Sequence, residues 1–193
     1  TLEASSAASD VYKRQKYGPH TVGGAINFVT ADVPSAFDAK ASVSFGSDGY
    51  EKYEGRIGNS LGNAGFLIDG LRYSSDGFKS LDGGGDTGFV RNDINFKGKY
   101  VPSGGLPQVI TLKIAWADED SSETYLGLTD LDFEKTPDRR YAASHLDGFD
   151  TEHRMLHLNY GIELNENLTV NAKAYWNCLL YTSDAADDGS CVV

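Results

Sequence analysis

Lys16-Tyr17-Gly18-Pro19-His20-Thr21-Val22-Gly23-Gly24-Ala25-Ile26-Asn27-Phe28-Val29-Thr30 is the stretch on which the reading of this chain turns. Gly18-Pro19 is turn chemistry, and the proline ring fixes its own φ. Gly23-Gly24 removes two Cβ atoms just before Ala25-Ile26-Asn27-Phe28-Val29, which reads as a short buried strand. Paired glycines ahead of a strand point to close backbone approach or a positive φ.

Beyond a linker from Ala31 to Asp38, strand-like segments follow at short intervals. In Ala39 to Gly46, Ala39, Ala41, Val43 and Phe45 share a face. In Tyr50 to Leu61, Tyr53, Gly55 and Ile57 alternate with Lys52, Glu54 and Arg56. Phe66 to Tyr73 alternates poorly, with Leu67, Asp69 and Leu71 on one side. From there the period of two is clean. Ile94, Phe96, Gly98 and Tyr100 oppose Asp93, Asn95, Lys97 and Lys99. Ile110, Leu112, Ile114 and Trp116 oppose Val109, Thr111, Lys113 and Ala115. Leu156, Leu158, Tyr160, Ile162 and Leu164 oppose His153, Met155, His157 and Asn159. Leu168, Val170, Ala172, Ala174 and Trp176 oppose Thr169, Asn171, Lys173 and Tyr175. Alternation over so many segments predicts antiparallel β-structure with two unlike faces.

The connections alternate as well. On one side they are Ser47–Gly49, Ser74–Phe89 and Asp118–Thr151; on the other, Gly62–Asn63, Val101–Pro107 and Asn165–Asn167. The two long ones fall on one side, as in transmembrane barrels, which combine short periplasmic turns with long outer loops. Tyr50, Tyr53, Tyr100, Trp116 and Trp176 are expected near strand ends, where aromatic girdles sit. A soluble β-sandwich alternates too, but nothing in it gathers long loops at one end.

Both ends read as foreign. Codons can be chosen for Asp10 to Gln15 whose reverse complement reads, in a shifted frame, as Cys178 to Ser183. Extending it through Ser5 to Ser9 gives Asp184 to Asp187. Such an inverted repeat resembles a translated sequencing adapter, so residues 1–15 and 178–193 are set aside. Both cysteines, Cys178 and Cys191, then fall outside the natural part, and no thiolate chemistry is expected in it.

The net charge is −11, of which the last tail supplies three negative charges. An acidic chain is a poor partner for nucleic acid, which calls for a basic patch. No apolar run approaches the length of a transmembrane helix. That leaves barrel strands open, since their signal per segment is weak. The 22 glycines and 11 tyrosines suit strands and turns.

The opening stretch closely resembles the end of the plug domain of TonB-dependent outer-membrane receptors, through Tyr17, Gly18, Thr21, Val22, Gly23, Gly24, Ile26, Asn27, Phe28, Val29 and Thr30. Further on, Thr124-Tyr125-Leu126-Gly127-Leu128-Thr129-Asp130 followed by Arg139-Arg140-Tyr141-Ala142-Ala143-Ser144 resembles the ferric dicitrate receptor branch of that family. The resemblance implies an all-β fragment of a 22-stranded antiparallel transmembrane barrel in the bacterial outer membrane. Residues 16–34 would close the plug and its linker, and residues 35–177 would supply about the first seven barrel strands. It implies energised import of ferric citrate or a similar ferric siderophore. The partners would be outer-membrane lipid and, through an N-terminal segment not in this sequence, the TonB complex. The same architecture serving another cargo (haem, cobalamin or a glycan) and a non-transporting barrel remain alternatives. No enzymatic role and no cofactor are expected.

For an anionic ferric chelate the candidate ligands are Arg139 and Arg140, because a guanidinium gives fork-like bonds to carboxylates. The alternative is an intraloop pair with Asp138, Asp132 or Glu134. His153 and His157 share a strand face but lie about 13 Å apart at strand rise, too far to ligate one ion, and His145 sits in the long loop. Asp118-Glu119-Asp120 lacks EF-hand spacing. Asp82-Gly83-Gly84-Gly85-Asp86 has no Lys-Ser/Thr or helix start after it and reads as a flexible loop rather than a phosphate cradle. No catalytic triad or carboxylate pair stands out.

Overall fold

A computed structural model describes residues 30–183 and 186–192, with side chains described as far as residue 181. The described strands belong to a compact unit running from Asp32 onward. The strands are β1 (Asp38–Phe45), β2 (Glu51–Leu61), β3 (Ala64–Ser75), β4 (Ser80–Leu81), β5 (Phe89–Tyr100) and β6 (Gln108–Ser121). They continue with β7 (Arg139–Arg140), β8 (Phe149–Asn165), β9 (Leu168–Ser183) and β10 (Ala186–Val192). One short helix, α1 (Asp130–Lys135), and a 3-10 turn (Ala142–Ser144) lie between β6 and β8. Eight strands form one antiparallel sheet in the order β1-β2-β3-β5-β6-β8-β9-β10, so sequence neighbours pair throughout. Among the described residues the sheet is open, with β1 and β10 as its edges. The all-β, antiparallel expectation holds at this level.

The strands outrun the alternation read from the sequence. β6 continues past Trp116 to Ser121, and β8 begins at Phe149, so the expected connection Asp118–Thr151 shrinks to 122–148. Charge compensation permits this. Arg91 on β5 bonds Asp93 at 3.0 Å and, across the ladder, Glu119 at 2.9 Å, and Asn92 donates to Asp118 at 3.2 Å, so two carboxylates at the end of β6 find partners on β5. β9 likewise runs through Cys178 to Ser183 and pairs with β10, placing Cys178 opposite Cys191. Ladder bonds are made by the backbone and accept most sequences. As a result Trp116 and Trp176 lie well inside their strands instead of at the ends.

Register puts the apolar positions of all the long strands on one face. One row across the sheet reads Ile57, Ile68, Phe96, Ile114, Leu156, Trp176. The row on its short-turn side contains Phe66, Leu112 and Leu158, and the next contains Tyr100, Ile110 and Tyr160. On the other side, Ile94 and Trp116 share a row, and beyond it the same face turns polar at Arg72, Asn92, Asp118 and Glu152. The apolar band is not covered: Ile94 is 53% exposed and Ile114 45%. Trp116 marks one border of the band, while Tyr100 and Tyr160 mark the other. Tyr50, Tyr53 and Tyr100 do lie at or near strand ends, as expected, while the two tryptophans do not.

The opposite face is polar, and the linker lies on it. Ser60 Oγ donates to the Pro34 carbonyl at 2.6 Å. A Cβ on Gly58 would lie 2.8 Å from Pro34 Cδ, and one on Gly65 would lie 2.6 Å from Val33 Cγ1. These two glycines admit the linker because they have no side chain. Leu67, opposite Gly58 in the register and only 2% exposed, is an apolar residue on the polar face beneath this crossing. That accounts for the poor alternation of β3. At the other end of β2, Asp48 (φ 55°) and Gly49 (φ 64°) form the left-handed tip of the β1–β2 hairpin.

Gly58→Val is expected to expel residues 32–34 from the sheet at an overpacking cost of about 1–3 kcal/mol. Proline-specific proteolysis after Pro34 measures this. Cleavage should be faster in the variant, and an unchanged rate would contradict the packing described.

Candidate functional site

The far-side connections, residues 76–88 and 122–148, form one cap. β4 and β7 pair in parallel, Ser80 with Arg139 and Leu81 with Arg140. The Ser80 amide donates to the Asp138 carbonyl at 2.7 Å, and the Asp82 amide to the Arg140 carbonyl at 2.8 Å. At the cap's base, the Ser122 amide donates to the Gly88 carbonyl at 2.9 Å, and Ser122 Oγ to Asp86 at 3.2 Å. The Asp82–Asp86 glycine run, expected to be a flexible loop, supplies two carboxylates that hold the second loop.

Arg139 and Arg140 are adjacent on a strand, so they point to opposite sides. Arg139 grips Asp82 through Nε (3.0 Å to both oxygens) and Nη2 (2.8 Å), and reaches Asp132 through Nη1 at 3.2 Å. Its guanidinium carbon also stands 5.0 Å from the Tyr141 ring centroid. Arg140 is 3% exposed. Its Nε donates to Ser144 Oγ at 2.9 Å, and its Nη atoms donate to the carbonyls of Ser122, Ser144 and Asp147. A buried guanidinium has no water, and these oxygens take its place. Of the intraloop partners considered from sequence, Asp132 engages Arg139; the larger share of its bonding goes to Asp82, far away in sequence.

Asp132 is the second hub. The Tyr141 hydroxyl donates to it at 2.5 Å and the Thr129 hydroxyl at 3.1 Å. Thr129 caps α1 by accepting from the Asp132 amide at 3.2 Å. The Tyr141 and Thr129 hydroxyls, with Arg139 beyond them, hold the Asp132 carboxyl below the usual carboxylate range. The Asp82 carboxylate in turn raises the Arg139 guanidinium above its ordinary value. Thr129 with Asp132 three positions on is a helix-start signal that was present in the sequence but not read there.

The cap as it stands binds itself. Both arginines are occupied by protein oxygens, and carboxylates outnumber cations in both loops. The exposed apolar side chains on it are Phe78, Tyr125, Leu126, Leu131, Phe133 and Leu146. Tyr17, Gly18, Gly23, Gly24 and Asn27, the residues carrying the plug-end resemblance, lie outside the described residues. His153 and His157 share the polar face, as expected from alternation, with His157 packed edge-on to Tyr175 at 6.0 Å. Among the described residues no three His, Cys, Asp or Glu side chains converge to hold a metal ion, and no helix is long and apolar enough to cross a membrane.

Arg139→Ala removes the grip on both carboxylates and should speed hydrogen exchange of the Ser80 and Asp82 amides several-fold. Acid should do the same in the wild type. A carboxyl whose folded pKa is depressed stabilises the cap above its unfolded value, near 3.8, and that contribution is lost as pH falls through the lower folded value. Exchange protection measured from pH 6 to pH 2 should therefore be flat down to the ordinary carboxylate range and fall below it. Protection unchanged by both treatments would contradict the cap.

No family model, curated protein or solved structure matches the chain.

Proposed function

We propose that this chain is part of a TonB-dependent outer-membrane receptor that imports a ferric chelate, ferric citrate or a similar siderophore. The observation that carries the membrane half of this reading is the uncovered apolar band on one face of the sheet. Soluble monomers rarely expose continuous apolar surface on such a scale, whereas a barrel wall must present it to lipid. A tilted strand needs roughly nine to eleven residues to cross a bilayer. Gln108–Trp116 on β6 and Leu168–Trp176 on β9 meet the lower figure. The polar face would then be the barrel interior, and the cap of 76–88 and 122–148 would lie outside the cell.

Two further features support the receptor over a plain porin. The linker Asp32–Pro34 lies on the polar face at the short-turn end, where a plug passing into its barrel would cross the wall. The sequence upstream of it carries the plug-end pattern. The 22-stranded barrel follows from the family resemblance and, with residues 178–193 set aside, would close the two edges left by β1 and β9.

The cargo rests on the loop resemblance. The same receptor with another cargo (haem, cobalamin or a glycan) is favoured by one specific feature: Arg139 and Arg140 are both engaged within an acidic cap.

Uptake of radiolabelled iron separates these readings. Cells whose only citrate-linked receptor is this protein should accumulate iron from ferric citrate and stop when the proton gradient is collapsed. Uptake from haem or another siderophore alone would transfer the reading to that cargo. Unenergised uptake would favour a non-transporting barrel.

A further inference from the structure

The polar face of the first three strands holds an open groove of about 820 Å³. Two rows of side chains wall it. One row is Lys40, Arg56 and Asp69, on β1, β2 and β3 in turn. The other, nearer the cap, is Ser42, Glu54 and Leu71. Between the rows the floor is main chain, where Gly55 lies opposite Gly70. Ile57 and Ile68, on the apolar face of the same strands, do not line it. The volume falls within the usual range of small-molecule sites, roughly 300–1,000 Å³.

Part of the charge on these walls is already paired. Arg56 Nη2 donates to Asp38 at 3.0 Å, and Lys52 bonds Glu54 at 2.8 Å. Two charges are left. Lys40 stands directly opposite Arg56 and, among the described residues, makes no side-chain hydrogen bond or ion pair. Like charges placed directly opposite destabilise a ladder, and the one carboxylate of Asp38 offsets only one of the two. Asp69 lies on the other side of Arg56. It accepts from Asn95 at 3.3 Å and, among the described residues, forms no ion pair; Lys113, two strands away, is within its electrostatic reach only. Arg56 commits only Nη2 to Asp38, and its enclosed Nε has no hydrogen-bond partner.

The residual charge is therefore positive at one end of the groove and negative at the other. A polyanion placed here would meet Asp69 and Glu54, and a polycation would meet Lys40 and Arg56. No aromatic ring lines the groove to stack a sugar or a base. Directly opposed Cβ atoms are about 5 Å apart, so Lys40 and Asp69, two ladders apart, are separated by roughly 10 Å. An extended peptide advances about 3.3–3.6 Å per residue, so two or three residues bridge that span.

We infer that this groove binds a short peptide as a zwitterion, with the peptide's carboxylate on Lys40 and Arg56 and its ammonium on Asp69. Ser42 offers a hydroxyl to the amides between. The site is separate from the cap. The inference goes beyond iron transport and takes from that reading only that water reaches the polar face.

The probe is triglycine, titrated by calorimetry into the full-length protein carrying this chain, purified in detergent. Saturable binding is expected. N-acetyl-triglycine, which has no ammonium, and triglycine amide, which has no carboxylate, should each bind about tenfold more weakly or worse, since each loses a charge-assisted bond. Lys40→Gln should weaken triglycine several-fold and leave triglycine amide unchanged. Asp69→Asn should weaken triglycine several-fold and leave N-acetyl-triglycine unchanged. Circular dichroism checks that strand content is kept. If Asp69→Asn loses it, Lys40→Gln with the two blocked peptides carries the test. Absence of binding by the wild type, equal binding of the blocked peptides, or affinity that ignores the variants would overturn the inference. Binding that survives acetylation but not amidation would identify a plain anion site and overturn it too. Loss of iron uptake with triglycine binding intact would leave it standing and count only against the transport reading.

Discussion

Side chains on a β-strand alternate between two faces, and a hydrogen-bonded ladder carries that parity to every neighbouring strand. In this sheet the constraint spans β1 to β9. A slip of one residue in any pairing would move Ile114 or Leu156 among the lysines and move Lys113 or His157 into the apolar band. The register shows no such slip; its one irregularity, between Glu163 and Asn165, lies at the β8–β9 turn. The apolar face holds this arrangement only where something other than water meets it. In the proposed membrane setting lipid would meet it at no cost to the backbone, because every interior strand already pairs on both sides. The polar face, the linker and the loops can all be placed by reference to that parity.

The two ends of the strands are built differently. At the cap end, cations and carboxylates are consumed by one another: Arg91 with Asp93 and Glu119, Arg139 with Asp82 and Asp132, Arg140 with backbone carbonyls. Exposed ion pairs of this kind each contribute little to stability. At the short-turn end, lysines are grouped with few carboxylates, and glycines at 58 and 65 open the wall to the linker. Side-chain pairing of arginine with carboxylate is thus concentrated where two loops meet over the sheet, and backbone approach where the linker crosses it.

Much of the sheet was legible in the sequence. Ile94 to Tyr100, Ile110 to Trp116 and Leu156 to Leu164 alternate because a half-buried strand has a period of two and nothing local competes. β3 was not legible, because Leu67 is buried under a linker crossing that no local pattern announces. The outer halves of β6 and β8 were hidden for a related reason: Asp118-Glu119-Asp120 falls in a connection by its own pattern, and the partners of Asp118 and Glu119, Asn92 and Arg91, lie on another strand. The cap was hidden most. β4 and β7 are two residues each and meet through Asp82 and Arg139, 57 positions apart. Arg140 read as a candidate chelate ligand or as half of an intraloop ion pair, since nothing in a sequence shows three carbonyls converging on it. Only α1 left a local sign, in Thr129 and Asp132.

The central claim is that the apolar band faces lipid. The protein has two tryptophans, Trp116 and Trp176, and register puts both on that band, one at its border and one at its middle. Tryptophan emission in vesicles of lipids brominated along the acyl chain tests the claim directly. Both should be quenched, with Trp176 responding to deeper bromines than Trp116, as resolved with Trp176→Phe and Trp116→Phe. Emission indifferent to brominated lipid would mean that the band is covered by protein, and the membrane account would be wrong.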